Sequence, residues 1–146
     1  MTPEFKVEHI GDVVEELAPL TVDHHAEVNC FYDTDLNIDW ARYKQVKNVY
    51  CFITCRLDGK LIGWIGFFVH SPVRHKGYLV AYEDWYYMKP EYRGRGWGKA
   101  MFEHAETTLR RGGVKRIMMS CKSYQDYTPL IESLGYVHFE KHFTKI

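Results

Sequence analysis

The chain has 146 residues, with 19 basic and 19 acidic side chains that leave no formal net charge, and 16% of its residues are aromatic. That length fits one domain over residues 1–146 with a sizeable core, and no apolar run approaches the ~20 residues needed to span a bilayer. The opening Met1-Thr2-Pro3-Glu4-Phe5-Lys6 lacks the basic region and apolar core of a signal peptide, so a soluble, cytoplasmic protein is expected.

In chain order, residues 5–10 alternate weakly and predict a first strand. Gly11-Asp12 offers a cap, and Val13, Leu17 and Leu20 recur at helical spacing, so one or two helices should run to about Cys30 with Pro19 interrupting them. Residues 31–38 read as a loop, and Asp39 caps a second helix over residues 40–47. Residues 49–57 are β-branched and aromatic throughout, Asp58-Gly59 is a hairpin turn, and residues 60–70 return. Gly63 and Gly66 inside that second strand predict a bulge or a close backbone approach. A basic loop over residues 71–77 precedes a third long strand, residues 78–88, whose acids are Glu83 and Asp84. A helix from Gly98 to about Arg111 ends at Gly112-Gly113, and residues 114–121 form a strand. A short helix from about Thr128 to Leu134 stops at Gly135, and residues 136–144 form a closing strand.

Cys30, Cys51, Cys55 and Cys121 form no C-x-x-C pair and read as free thiols, and the eight histidines show no ligand spacing. His24-His25 are adjacent and point apart, so no metal is expected. Charge is unevenly placed. From residue 7 to 41 there is no Lys or Arg against nine acids (Glu8, Asp12, Glu15, Glu16, Asp23, Glu27, Asp33, Asp35 and Asp39), whereas residues 42–146 hold eighteen bases and nine acids. Asymmetry of this kind bears on partners.

The stretch over residues 86–99 has the order strand, glycine turn, helix start. A helix start presents unsatisfied N–H groups and the positive end of its dipole, and glycines let a ligand come close, which suits phosphates. The spacing Arg93-x-x-Gly96-x-Gly98 is neither a P-loop nor a dinucleotide fingerprint. It resembles the pyrophosphate signature R/Q-x-x-G-x-G/A of the GNAT superfamily of acyl-CoA N-acyltransferases, down to the preceding Pro90-Glu91-Tyr92. Leu130-Ile131-Glu132-Ser133-Leu134-Gly135-Tyr136 is similar to that family's C-terminal L-Y/F-E-x-L-G-F/Y. The resemblance runs from about residue 5 to the end. It implies an α/β (α+β) fold: a mixed, mostly antiparallel sheet of about six strands with helices on both faces. The aromatic strand and the chain's ending also resemble GNAT proteins encoded by tailed bacteriophages.

The resemblance further implies acetyl-CoA as donor co-substrate, with no metal. Backbone of Arg93, Gly94, Arg95, Gly96, Trp97, Gly98 and Lys99 would hold its pyrophosphate, helped by the Arg93 and Arg95 side chains. The pantetheine arm would run beside Tyr87, Met88 and Lys89. N-acetylation needs a neutral amine, so a carboxylate must take a proton from a group with pKa near 10. Glu83 is preferred and Asp84 is the alternative, since a bulge usual in this strand of the family hides which one faces the cleft. Many family members place an acidic Tyr where this chain has Ile131, leaving Tyr127 or Tyr124 as substitutes, or no acid at all. In this fold the acidic front would wall the acceptor side, with Tyr32, Asp33, Asp35, Trp40, Trp85 and Tyr86 as candidate contacts for a cationic small molecule or protein amine. A catalytically silent CoA-binding module and a nucleic-acid-modifying acyltransferase stay as alternatives, the second hinted at only by the basic loop. Monomer and homodimer are both open.

Overall fold

The computed structural model describes residues 1–29 and 35–145. Its strands are β1 (Glu4–Val7), β2 (Tyr50–Leu57), β3 (Lys60–His70), β4 (Val80–Met88) and β5 (Arg116–Met118). Among the described residues they make one sheet in the order β1-β2-β3-β4-β5, antiparallel from β1 to β4, with β5 parallel to β4. Asp58 and Gly59 both take positive φ, 49° and 78°, which lets the β2–β3 hairpin close without splaying its strands.

The apolar strand runs are explained by cover on both faces. Helices α1 (Val14–Val28) and α2 (Trp40–Gln45) lie on one side, over Phe52, Leu61, Trp64 and Tyr87. Helix α3 (Trp97–Arg111) buries Met101, Phe102, Ala105 and Leu109 against Ile53, Ile65 and Phe67 on the other. Helix α4 (Thr128–Ser133) sets Leu130 at the edge of that second core. Asp39 caps α2 as expected, its side chain accepting from the Arg42 N–H at 3.0 Å.

Four expectations need correction. Helix α1 runs unbroken through Pro19, because its face at Leu17 and Thr21 is buried, Leu17 in the core with Phe52 and Trp64, and packing outweighs one lost backbone hydrogen bond. Gly11-Asp12 does not cap it; residues Ile10–Asp12 form a 3-10 turn, and Val13 is the N-cap with no side-chain bond. The sheet has five strands rather than about six, since residues 136–144 form none. Val137, Phe139 and Phe143 are exposed there, and β5 offers only three paired residues as a template. Strand β5 likewise covers Arg116–Met118 rather than residues 114–121.

Arg56 is a buried charge that its setting on an apolar strand did not announce. Its guanidinium binds Glu8 on the segment after β1 and Glu16 on α1, both at 2.8 Å, and the Gly59 carbonyl at 2.9 Å. Burial would push the Glu8 carboxyl up, but hydrogen bonds from Arg56 and Thr54 hold it below its ordinary value; Arg56 lowers Glu16 too. Arg56→Ala would strand Glu8 in a half-buried site, and an expected loss of about 3 kcal/mol or more in urea melts would show it. A depressed carboxylate contributes stability above its unfolded pKa and loses it as pH falls through the folded one. Wild type should therefore weaken below pH ~4.5 more steeply than the variant.

Candidate active site

Strand β4 ends where the Lys89 N–H bonds the Ile62 carbonyl, and Pro90–Tyr92 then make one 3-10 turn. The chain reaches α3 through Gly94 and Gly96, at φ 76° and 80°, which an L side chain rarely adopts. Gly96 is the N-cap and supplies no side-chain acceptor, so the first N–H groups of α3 point at open space. A Cβ built on Gly94, Gly96 or Gly98 would meet nothing within 4 Å. The turn is thus an open, positively polarised cradle whose chemistry suits a phosphate group.

The arginines beside it are differently engaged. Arg93 turns back: its Nε donates to the Met88 carbonyl at 2.7 Å and its Nη2 pairs with Glu27 of α1 at 2.8 Å. Arg95 stacks over Trp97 and Tyr92, 5.1 and 5.7 Å from the ring centroids. Trp97 and Lys99 are half-buried in the first turn of α3.

Next to this turn the sheet opens. Strand β5 pairs with β4 only at Val80↔Arg116, Ala81↔Ile117 and Tyr82↔Met118. Beyond that point residues 83–88 have no partner strand on this edge among the described residues, and of their carbonyls that of Met88 is taken by Arg93; the open edge suits an extended amide chain. The Tyr86 hydroxyl bridges the gap to the Ser120 carbonyl at 3.0 Å.

Glu83 and Asp84 stand where the gap begins, and a bulge separates them. Gly66 pairs with Trp85 while Phe67 pairs with Glu83, so Asp84 is the extra residue. Glu83 lies opposite Phe67 of the α3-side core and accepts from the Ser120 hydroxyl at 2.7 Å. Burial, with Asp84's charge adding to it, raises its carboxyl to about 7, against the pull of Ser120. Asp84 faces α2 instead, accepting from Tyr43 at 2.5 Å and Tyr50 at 2.9 Å. Burial raises it and the two phenols pull it back.

The family model for the acetyltransferase (GNAT) family matches residues 14–136. The chain belongs to the GNAT family. A ribosomal-protein-alanine N-acetyltransferase from Brucella melitensis biovar Abortus 2308 superposes with TM-score 0.77 at 16% identity, over 100% of this chain and 99% of that one. An aminoglycoside acetyltransferase from an uncultured soil metagenomic sample, in complex with sisomicin, gives 0.77 at 13% identity over 99% and 95%. A Clostridium acetobutylicum acetyltransferase with acetyl-CoA gives 0.74 at 11% identity over 99% and 96%. A comparison with curated protein sequences finds no match. At such identities the likeness establishes the fold alone.

Other candidate residues of this GNAT chain are scattered. Tyr127 caps α4 with its ring against Tyr86, centroids 5.8 Å apart. The Tyr124 hydroxyl donates to the Val28 carbonyl at the end of α1. Asp35 is exposed in the loop before α2, and Tyr32 and Asp33 lie outside the described residues. Trp85 is half-buried, its indole N–H donating to the Tyr50 hydroxyl at 2.9 Å. The acidic front is partly neutralised within the fold, since Glu8, Glu16 and Glu27 are taken by Arg56 and Arg93.

Sequence reasoning missed Ser120, Tyr43, Tyr50 and His24. His24 sits within 6 Å, ring to ring, of Trp64, Trp85 and Tyr87. Burial above all, with the charges of His25, Lys122 and Arg93, lowers it to about 4, so it is neutral at physiological pH. One signal did exist for Tyr50. A Cβ at Gly66 would lie 2.0 Å from the Tyr50 hydroxyl, so the in-strand glycine marks the place where a large side chain crosses.

Proposed function

We propose that the protein moves an acetyl group from acetyl-CoA to a primary amine by direct attack, with Glu83 as the base. The observation that carries this reading is Glu83 itself, a carboxylate raised to about 7 where β4 and β5 part, one short strand away from the glycine cradle.

Backbone N–H groups of residues 94–99 hold the pyrophosphate, and the end of β4 at Tyr87, Met88 and Lys89 guides the pantetheine arm. Acetyl-CoA supplies an activated thioester with an acceptable leaving group. Glu83, oriented by Ser120, removes the proton that keeps an amine unreactive at neutral pH. A base near pKa 7 is half ionised there and still strong enough for the transfer. Neither tyrosine is needed as a dedicated acid in this scheme. Tyr124 spends its hydroxyl on Val28, and Tyr127 packs on Tyr86.

The acceptor is read as cationic, a small-molecule or protein amine. GNAT-fold proteins named for protein and aminoglycoside acceptors support that range. A panel of amines incubated with acetyl-CoA, followed by free-thiol release, tests the proposal. Amine-dependent release is expected. If CoA binds but no amine raises release above background, the chain is a silent CoA-binding module instead.

A further inference from the structure

Asp84 is not used by the scheme above, yet four elements converge on it. The Trp85 indole N–H donates to the Tyr50 hydroxyl, which with the Tyr43 hydroxyl donates to one oxygen of Asp84. Gly66 is the space that admits Tyr50. Burial, then Asp84's charge, raises both phenols well above their ordinary value, so they remain donors. The other oxygen of Asp84 accepts no hydrogen bond from the described residues, and no Lys, Arg or His among them pairs with Asp84. Its surroundings are ring faces. Tyr43 lies parallel to Trp85 at 5.6 Å, and Trp40 stands 6.4 Å from Trp85.

An oriented carboxylate among aromatic rings, reachable from solvent and without a cation of its own, matches the chemistry of an organic ammonium. The bulge sends it to the sheet face opposite Glu83. We propose that Asp84, with Tyr43, Trp40 and Trp85, binds a second positive charge on the acceptor, so that diamines and longer polyamines are preferred over monoamines. This rests on the amine-acetyltransfer reading and adds a separate anchor to it.

Putrescine and butylamine share a carbon chain and differ by the distal ammonium. Wild type should show a KM for putrescine lower by about 30-fold, the range of one charge-assisted contact. Asp84→Asn keeps the shape and the phenol bonds, and should shrink that gap to about threefold or less. Tyr43→Leu, on the half-exposed face of α2, should shrink it too and stands in if the first variant does not fold. A purely structural Asp84 would raise both KM values together and leave the ratio intact, which overturns the proposal. Equal KM values in wild type overturn it as well. Calorimetry separates this anchor from the catalytic reading. Putrescine should bind the CoA complex of the wild type, where no acetyl group is present to transfer, and bind that of Asp84→Asn at least tenfold more weakly. Putrescine binding that ignores Asp84 sinks the anchor, whereas binding that needs Asp84 without any turnover sinks only the acetyltransfer reading.

Discussion

Replacing Gly98 with valine is expected to leave the protein folded and to weaken CoA binding by about 10²- to 10³-fold. Gly98 is the sharpest probe of the cradle because its backbone is ordinary helix, whereas Gly94 and Gly96 sit at positive φ, where any side chain adds strain. A Cβ at Gly98 meets nothing within 4 Å, so valine has room in the free protein. Glycine is also a poor helix former, so the first turn of α3 should not suffer. What valine fills is the space before the helix start. Two charge-assisted hydrogen bonds lost there are worth about 3–4 kcal/mol, and each 1.4 kcal/mol is tenfold in affinity. Circular dichroism checks the fold and calorimetry with CoA reads the affinity; an unchanged Kd in a folded variant would show that the phosphates bind elsewhere.

The second large effect concerns Glu83. Glu83→Gln keeps the size and still accepts from Ser120, but removes the base, and kcat should fall by roughly 10²-fold. The pH profile carries the more specific expectation. A base must be ionised, so wild-type activity should decline as pH falls through about 7, the value that burial and Asp84 give the carboxyl. That limb should vanish in the variant. Near-normal kcat in Glu83→Gln, or an unaltered limb, would assign proton removal to another group. Tyr127→Phe and Tyr124→Phe should each cost no more than about tenfold, because thiolate departure needs little help.

Much of this was present in the order of residues. Continuous β-branched, aromatic and apolar runs marked β2, β3 and β4, the Asp58-Gly59 pair marked the hairpin, and Gly94, Gly96 and Gly98 at the start of an amphipathic helix marked the cradle, because each signal is local and needs only the backbone. Long-range packing decided the rest. Pro19 reads as a breaker in isolation, yet α1 continues because its buried face is held by the sheet. Residues 136–144 read as a strand, but a strand exists only where a neighbour offers enough edge, and β5 offers three residues. The division between Glu83 and Asp84 turns on one unpaired residue opposite Gly66, a register detail that alternation cannot reveal. Charge was the least local property of all. The acids of the front half formed a visible run, but their partners Arg56 and Arg93 lie on other elements, and only the folded chain shows which acids are already neutralised and that Asp84 has no cation beside it among the described residues.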